Sequence, residues 1–199
     1  MRQRPRSDAA ARRIGAGLAA ACAALALGAA VPSAAQERAG AAIFRRMATV
    51  LQGPRCMNCH TREDFPRQGD DRHRHTFHVT RGPADRGAAG LHCATCHQAV
   101  NQAASGVPGA AGWQLAPLRM AWEGLSVPAL CRALRDPHKG GMTPDRLVPH
   151  FGTSLVRWAW EPGRDRTGRE RTKPPIPYDQ FIALTRAWVS KGAACPSAD

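Results

Sequence analysis

The sequence predicts a mainly α protein in which long loops, rather than a sheet, complete the core. Three observations carry this. Apolar residues fall at helical spacing in segments 37–52, 126–135 and 178–191. No stretch alternates apolar and polar residues as a half-buried strand does. The Pro- and Gly-bearing connections at 61–90 and 106–123 are long for a compact domain unless they cover something.

Taken in order, the first 35 residues read as a secretory leader. Arg2, Arg4, Arg6, Arg12 and Arg13 precede an Ala/Leu-rich run from Ile14 to Val31, and small residues at Ser33, Ala34 and Ala35 mark a cleavage point after Ala35. Gly15, Gly17 and Gly28 interrupt the apolar run, which argues against a permanent membrane span. Two other export readings fit loosely. Cys22 lacks the Leu that a lipidation signal places three residues earlier, and Ile14-Gly15-Ala16 is a weak continuation of a twin-arginine pair.

Cleavage removes five Arg and one Asp, a net +4 of the chain's +13, and leaves 164 residues at +9. That length suits one domain, residues 36–199, with a modest core. In an exported, periplasmic protein the positive balance does not point to nucleic acid. It suits general solubility, or docking to an acidic protein or a membrane surface.

Within the domain, Ile43, Phe44, Met47, Val50 and Leu51 give the first helix its apolar face, and Gly53-Pro54 stops it. Residues 61–90 are polar, with little to form a core. A short helix is expected from Cys93 to about Asn101. Ser126 caps a helix with Pro128 in its first turn, running to Asp136-Pro137. A helix from Thr143 toward Trp160 meets Pro149 and Gly152, which bend or split it. RDRTGRERTK at 164–173 reads as a solvated basic connection. The last helix, Tyr178 to Lys191, carries Phe181, Leu184 and Trp188 on one face and ends at Gly192.

The cysteines decide the chemistry. Four of the six beyond the leader lie in Cys56-Met57-Asn58-Cys59-His60 and Cys93-Ala94-Thr95-Cys96-His97. Each is a C-x-x-C-H unit, the attachment signal for c-type haem. On a helical turn the residues i, i+3 and i+4 share a face, so two thiols can bond the two vinyl groups while the imidazole reaches iron as proximal ligand. A zinc ribbon needs no His after both pairs, and the 33 residues between Cys59 and Cys93 exceed its usual gap. Two covalent haems are therefore expected, held by Cys56, Cys59, Cys93 and Cys96 with His60 and His97 on the irons. The fold class becomes a small dihaem cytochrome c with loops wrapped around its cofactors. Cys131 and Cys195 remain as an even pair in an oxidising compartment, read as a disulfide, with free thiols the alternative.

Each iron then takes a sixth ligand or keeps an open position. DRHRHTFH at 71–78 offers His73 and His75, in the loop expected to cross the first haem, with His78 in reserve. Met120 lies in a Pro-bearing loop past His97 and is the thioether candidate; packing beside Trp122 is the alternative. Met142 is a weaker version of Met120. His92 is too close to Cys93 to serve the same iron, and His138 and His150 read as ordinary helix-end or surface residues.

The succession CMNCH, QGDD followed by H-x-H, TRGPAD, CATCHQ, MAWEGLS, LCRALRDP, LVRWAW and AWVSKGAACP resembles a family of small exported dihaem cytochromes named isoquinoline 1-oxidoreductase subunit. The likeness runs from Pro54 to Pro196. It implies association with a molybdenum hydroxylase, whose two electrons this chain would accept and pass to a downstream acceptor. It carries over Cys56, Cys59, His60, Cys93, Cys96 and His97, with His73, His75 and Met120 as distal groups. It brings no molybdopterin site and no cysteine pattern for iron–sulfur clusters, so any hydroxylase activity belongs to the partner. An electron-transfer protein without a catalytic residue of its own is thus the leading expectation. A dihaem peroxidase-like enzyme with one open iron is the alternative.

Overall fold

Residues 33–140 and 142–197 are described by a computed structural model; the expected leader therefore falls outside the described residues except for Ser33, Ala34 and Ala35. Ser33 caps the first helix, α1 (Ala34–Leu51): its Oγ accepts from the Gln36 amide at 3.2 Å, and the Gln36 side chain accepts from the Ser33 amide at 2.9 Å. This reciprocal capping box satisfies two otherwise orphaned donors.

The chain is mostly helical, as the periodicity predicts. After α1 come α2 (Pro54–Met57), two antiparallel hairpins of two-residue strands, β1 (Arg67–Gln68) with β2 (His73–Arg74) and β3 (Gly87–Ala88) with β4 (Leu91–His92), and then α3 (Cys93–Cys96). A long connection leads to α4 (Val127–Arg135), α5 (Pro137–Gly140), α6 (Pro144–Phe151), α7 (Ser154–Arg157) and, after the basic loop, α8 (Tyr178–Ser190).

Helices α1, α4, α6 and α8 make the hydrophobic core. Phe44 of α1 meets Trp188 of α8 with ring centres 5.2 Å apart, and Phe151 of α6 meets Phe181 of α8 at 5.0 Å. Most of the apolar face of α1 is spent on α8, and only Val50 and Leu51, at its C-terminal end, reach the large cavity described below. A buried indole offers that face more apolar area than a site at one end of the helix.

Three local expectations need correction. The 61–90 loop contains the first hairpin and the first strand of the second, whose partner strand is Leu91–His92. The helix at Cys93 stops at Cys96, because His97 is extended (φ −90°, ψ 97°). The basic 164–173 loop is more than a solvated connection: Arg171 turns inward, donating to the carbonyls of Pro162 (2.8 Å), Arg164 (2.6 Å) and Gly106. Gly106 itself has φ 68°, and a Cβ there would run into the Arg166 backbone, so the two loops are in close contact. The remaining elements follow the sequence. Ser126 caps α4, and the helix after Thr143 breaks at Gly152 to resume as α7.

Cys131 of α4 and Cys195 beyond α8 form a disulfide, Cα to Cα 5.6 Å, across 64 residues. Among the described residues no helix is long and apolar enough to cross a membrane. Replacing both disulfide cysteines with serine is expected to lower unfolding stability by about 2–4 kcal/mol in a denaturant titration; an unchanged midpoint would contradict a constraining role.

Candidate cofactor-attachment site

Both C-x-x-C-H units fold into the same turn. The His60 amide donates to the Cys56 carbonyl at 3.1 Å, and the His97 amide donates to the Cys93 carbonyl at 2.9 Å. Each is an i to i+4 bond, so in both units the two thiols and the imidazole share one face. All four thiols are unpaired.

The likeness extends to what holds each ring. His60 Nδ1 lies 2.8 Å from the Met120 carbonyl, and His97 Nδ1 lies 2.7 Å from the Pro108 carbonyl. An Nδ1–H donating to a carbonyl fixes the tautomer and leaves the Nε2 lone pair free for a metal. Each ring is also backed by an indole lying parallel to it. His60 stacks on Trp122 (3.4 Å, 9°) and His97 on Trp113 (4.4 Å, 5°). Burial holds both imidazoles neutral, and that of His60 is pushed down to about 4.

The connection 106–123 serves both units. Pro108 and Trp113 attend His97, while Met120 and Trp122 attend His60. Arg81 ties the His60 side together, donating to Asp85 (2.8 Å) and to the carbonyls of Ala116, Thr61 (3.4 Å) and Glu63 (3.3 Å). Glu123 accepts Arg72 at 2.9 Å and pairs with Arg67 at 3.3 Å, pinning the first hairpin to the same connection.

The two units differ in enclosure. Cys56, Cys59 and His60 open into a cavity of about 360 Å³ lined by apolar residues from α1, α6, α7 and α8. Burial pushes the Cys56 thiol up to about 12, with Cys59 adding to it. Burial and the neighbouring Cys93 push Cys59 up to about 11. These thiols stay protonated at neutral pH. Trp113, which backs His97, also lines the cavity into which Cys56 and Cys59 open, so the two units are neighbours. The second unit is more open: Cys96 is exposed and Cys93 half-buried.

The distal candidates redistribute. His75 does not cross the first unit. Its ring lies 5.9 Å from that of His97, edge to face, and its Nδ1 is engaged by the Thr76 carbonyl at 2.7 Å. His73 is exposed and bound through Nδ1 to Asp71 at 2.7 Å. His78, His92 and His138 are exposed. Met120 stands beside His60 rather than His97, and Met142 lines the same cavity. His150, read from sequence as ordinary, also lines that cavity.

The residues present fit haem. A porphyrin brings four nitrogens, so its iron asks the protein for one or two ligands, and the structure offers single imidazoles rather than a cage. Among the described residues no group of three His, Cys, Asp or Glu converges on a metal position. His75 and His97 bring two imidazoles to ring centres 5.9 Å apart, each with Nδ1 engaged by a carbonyl and Nε2 left for another partner. Arg55, buried on the cavity wall, pairs with Asp70 but leaves Nε without a partner. A buried donor of this kind suits a carboxylate such as a haem propionate.

The sequence singles out the four thiols, His60, His97 and His75 as candidates, and the structure places the thiols and histidines of each C-x-x-C-H unit on one turn and His75 beside His97. The sequence does not mark the carbonyls of Met120 and Pro108, which carry no residue-specific signal. Nor does it mark Trp113 and Trp122 as the indoles that back His97 and His60. Comparison with known proteins finds no matching family model, curated protein or solved structure.

Asp70 also accepts from the Thr172 hydroxyl (2.8 Å) and amide (3.2 Å), linking Arg55 to the basic loop. Asp70→Asn is expected to destabilise the protein by about 1–3 kcal/mol, the cost of an under-satisfied buried donor, read as a lowered denaturation midpoint. No change would show that Arg55 does not depend on this pair.

Proposed function

We propose that the chain is an exported dihaem c-type cytochrome that carries electrons and has no catalytic residue of its own. The observation that carries this is the duplicate construction of the two C-x-x-C-H turns. Each closes the same backbone bond, ties its imidazole Nδ1 to a carbonyl from the 106–123 connection, and backs the ring with an indole. Chance placement of two such motifs would not reproduce the supporting contacts.

A bound haem supplies the reversible one-electron change of iron. The protein's own contribution is positional and electrostatic. Cys56 with Cys59, and Cys93 with Cys96, present their thiols beside an imidazole held neutral. Met120 and Pro108 fix the ring orientation, and Arg55 offers a cation to an acidic cofactor edge. The apolar cavity wall excludes water from the first centre, whereas the second lies toward the surface. Adjacent units, one enclosed and one open, suit transfer through the molecule from a redox partner to an acceptor. The partner that the family resemblance implies is a molybdenum hydroxylase in the periplasm.

Redox titration followed by visible spectroscopy tests this reading. Two reversible one-electron steps per chain are expected, with spectra insensitive to carbon monoxide and hydrogen peroxide. A centre that binds carbon monoxide and turns over peroxide would favour the peroxidase-like alternative instead.

A further inference from the structure

The sequence gives His150 no distinction, and the structure gives it an unusual position. It lies in the last turn of α6, half-buried, on the wall of the cavity that Cys56, Cys59 and His60 share. The rings of His60, His73, His75 and His97 each have an Nδ1 partner. No hydrogen bond engages the His150 ring among the described residues. A half-buried imidazole on the wall of an apolar cavity, with no hydrogen-bond partner among the described residues, is free to bind a group placed in that cavity.

Its backbone is firmly placed. The neighbouring Phe151 packs on Phe181 of α8, and its carbonyl accepts from the Tyr178 hydroxyl at 3.3 Å. The Thr153 amide closes the turn on the His150 carbonyl at 3.0 Å. The imidazole is thus held at a helix end on the wall of the cavity into which Cys56, Cys59 and His60 open.

We infer that His150 is the second axial ligand of the iron at His60, as His75 is at His97, so that both centres are closed by paired imidazoles. This rests on the proposed haem attachment and goes beyond it by assigning the ligand that closes the enclosed centre. The two thioethers on the same wall fit less well. The Met120 carbonyl holds Nδ1 of His60, which sets Met120 behind the ring, on the side away from Nε2. Met142 is half-buried among core residues, where a thioether needs no polar partner and its packing accounts for it.

The test is low-temperature electron paramagnetic resonance of the oxidised, haem-loaded protein, with haem content per chain measured on the same samples. Two low-spin signals are expected in the parent. His150→Ala should keep two haems, lose one low-spin signal to a high-spin one and recover it with added imidazole. His75→Ala should do the same to the other signal. Should His150→Ala fail to accumulate, His150→Met is the second variant; a low-spin centre with the near-infrared band of thioether ligation is then expected. Two haems with both low-spin signals intact in His150→Ala would overturn the inference and leave haem attachment standing. The same holds if Met120→Leu or Met142→Leu, and not His150→Ala, turns one centre high-spin. Fewer than two haems in the parent would instead remove the reading beneath it.

Discussion

The hydrogen bond from an imidazole Nδ1–H to a backbone carbonyl is the constraint on which the rest of the arrangement depends. It appears at His60 with Met120 and at His97 with Pro108, and in both cases the carbonyl comes from one connection between α3 and α4. A free imidazole rotates and can ligate through either nitrogen. These two cannot, because one nitrogen is engaged and an indole lies flat against the ring. The connection is long because it must deliver two carbonyls and two tryptophans to two turns.

Most of the polar network serves to hold that connection. Arg81 clamps residues 61–63 to Ala116, Glu123 draws in Arg67 and Arg72, and Arg171 anchors Gly106. The excess of arginine, which in composition suggests only solubility or docking, therefore has a structural use. Arginine presents several donors in a fixed fork, so one side chain can satisfy carbonyls from separate segments. The helices have a different task. α1, α4, α6 and α8 form a conventional core, closed by the Cys131–Cys195 disulfide, and present one end of that core to the first turn.

The helices were legible in the sequence because their signals are local: apolar spacing for α1 and α8, Ser126 with Pro128 for α4, and Pro149 with Gly152 for the break after α6. The paired thiols and histidines at 56–60 and 93–97 were legible as candidates because the C-x-x-C-H spacing is a local motif. The placement of the remaining histidines was not. Sequence order placed the 71–78 histidines with the nearer Cys56 unit, yet a hairpin turns His75 toward His97. His150 was passed over because nothing local distinguishes a cavity-facing histidine at a helix end from a solvated one. Both depend on tertiary placement, which periodicity and motif spacing do not encode.

The most direct measurement is the intact mass of the protein after expression with export and cytochrome c maturation, compared with variants lacking one pair of attachment thiols. The account predicts two covalent haems on the parent. It predicts one on the Cys56→Ser/Cys59→Ser variant and one on the Cys93→Ser/Cys96→Ser variant, because each turn is complete in itself. An unmodified polypeptide mass under conditions that mature other c-type cytochromes would contradict it.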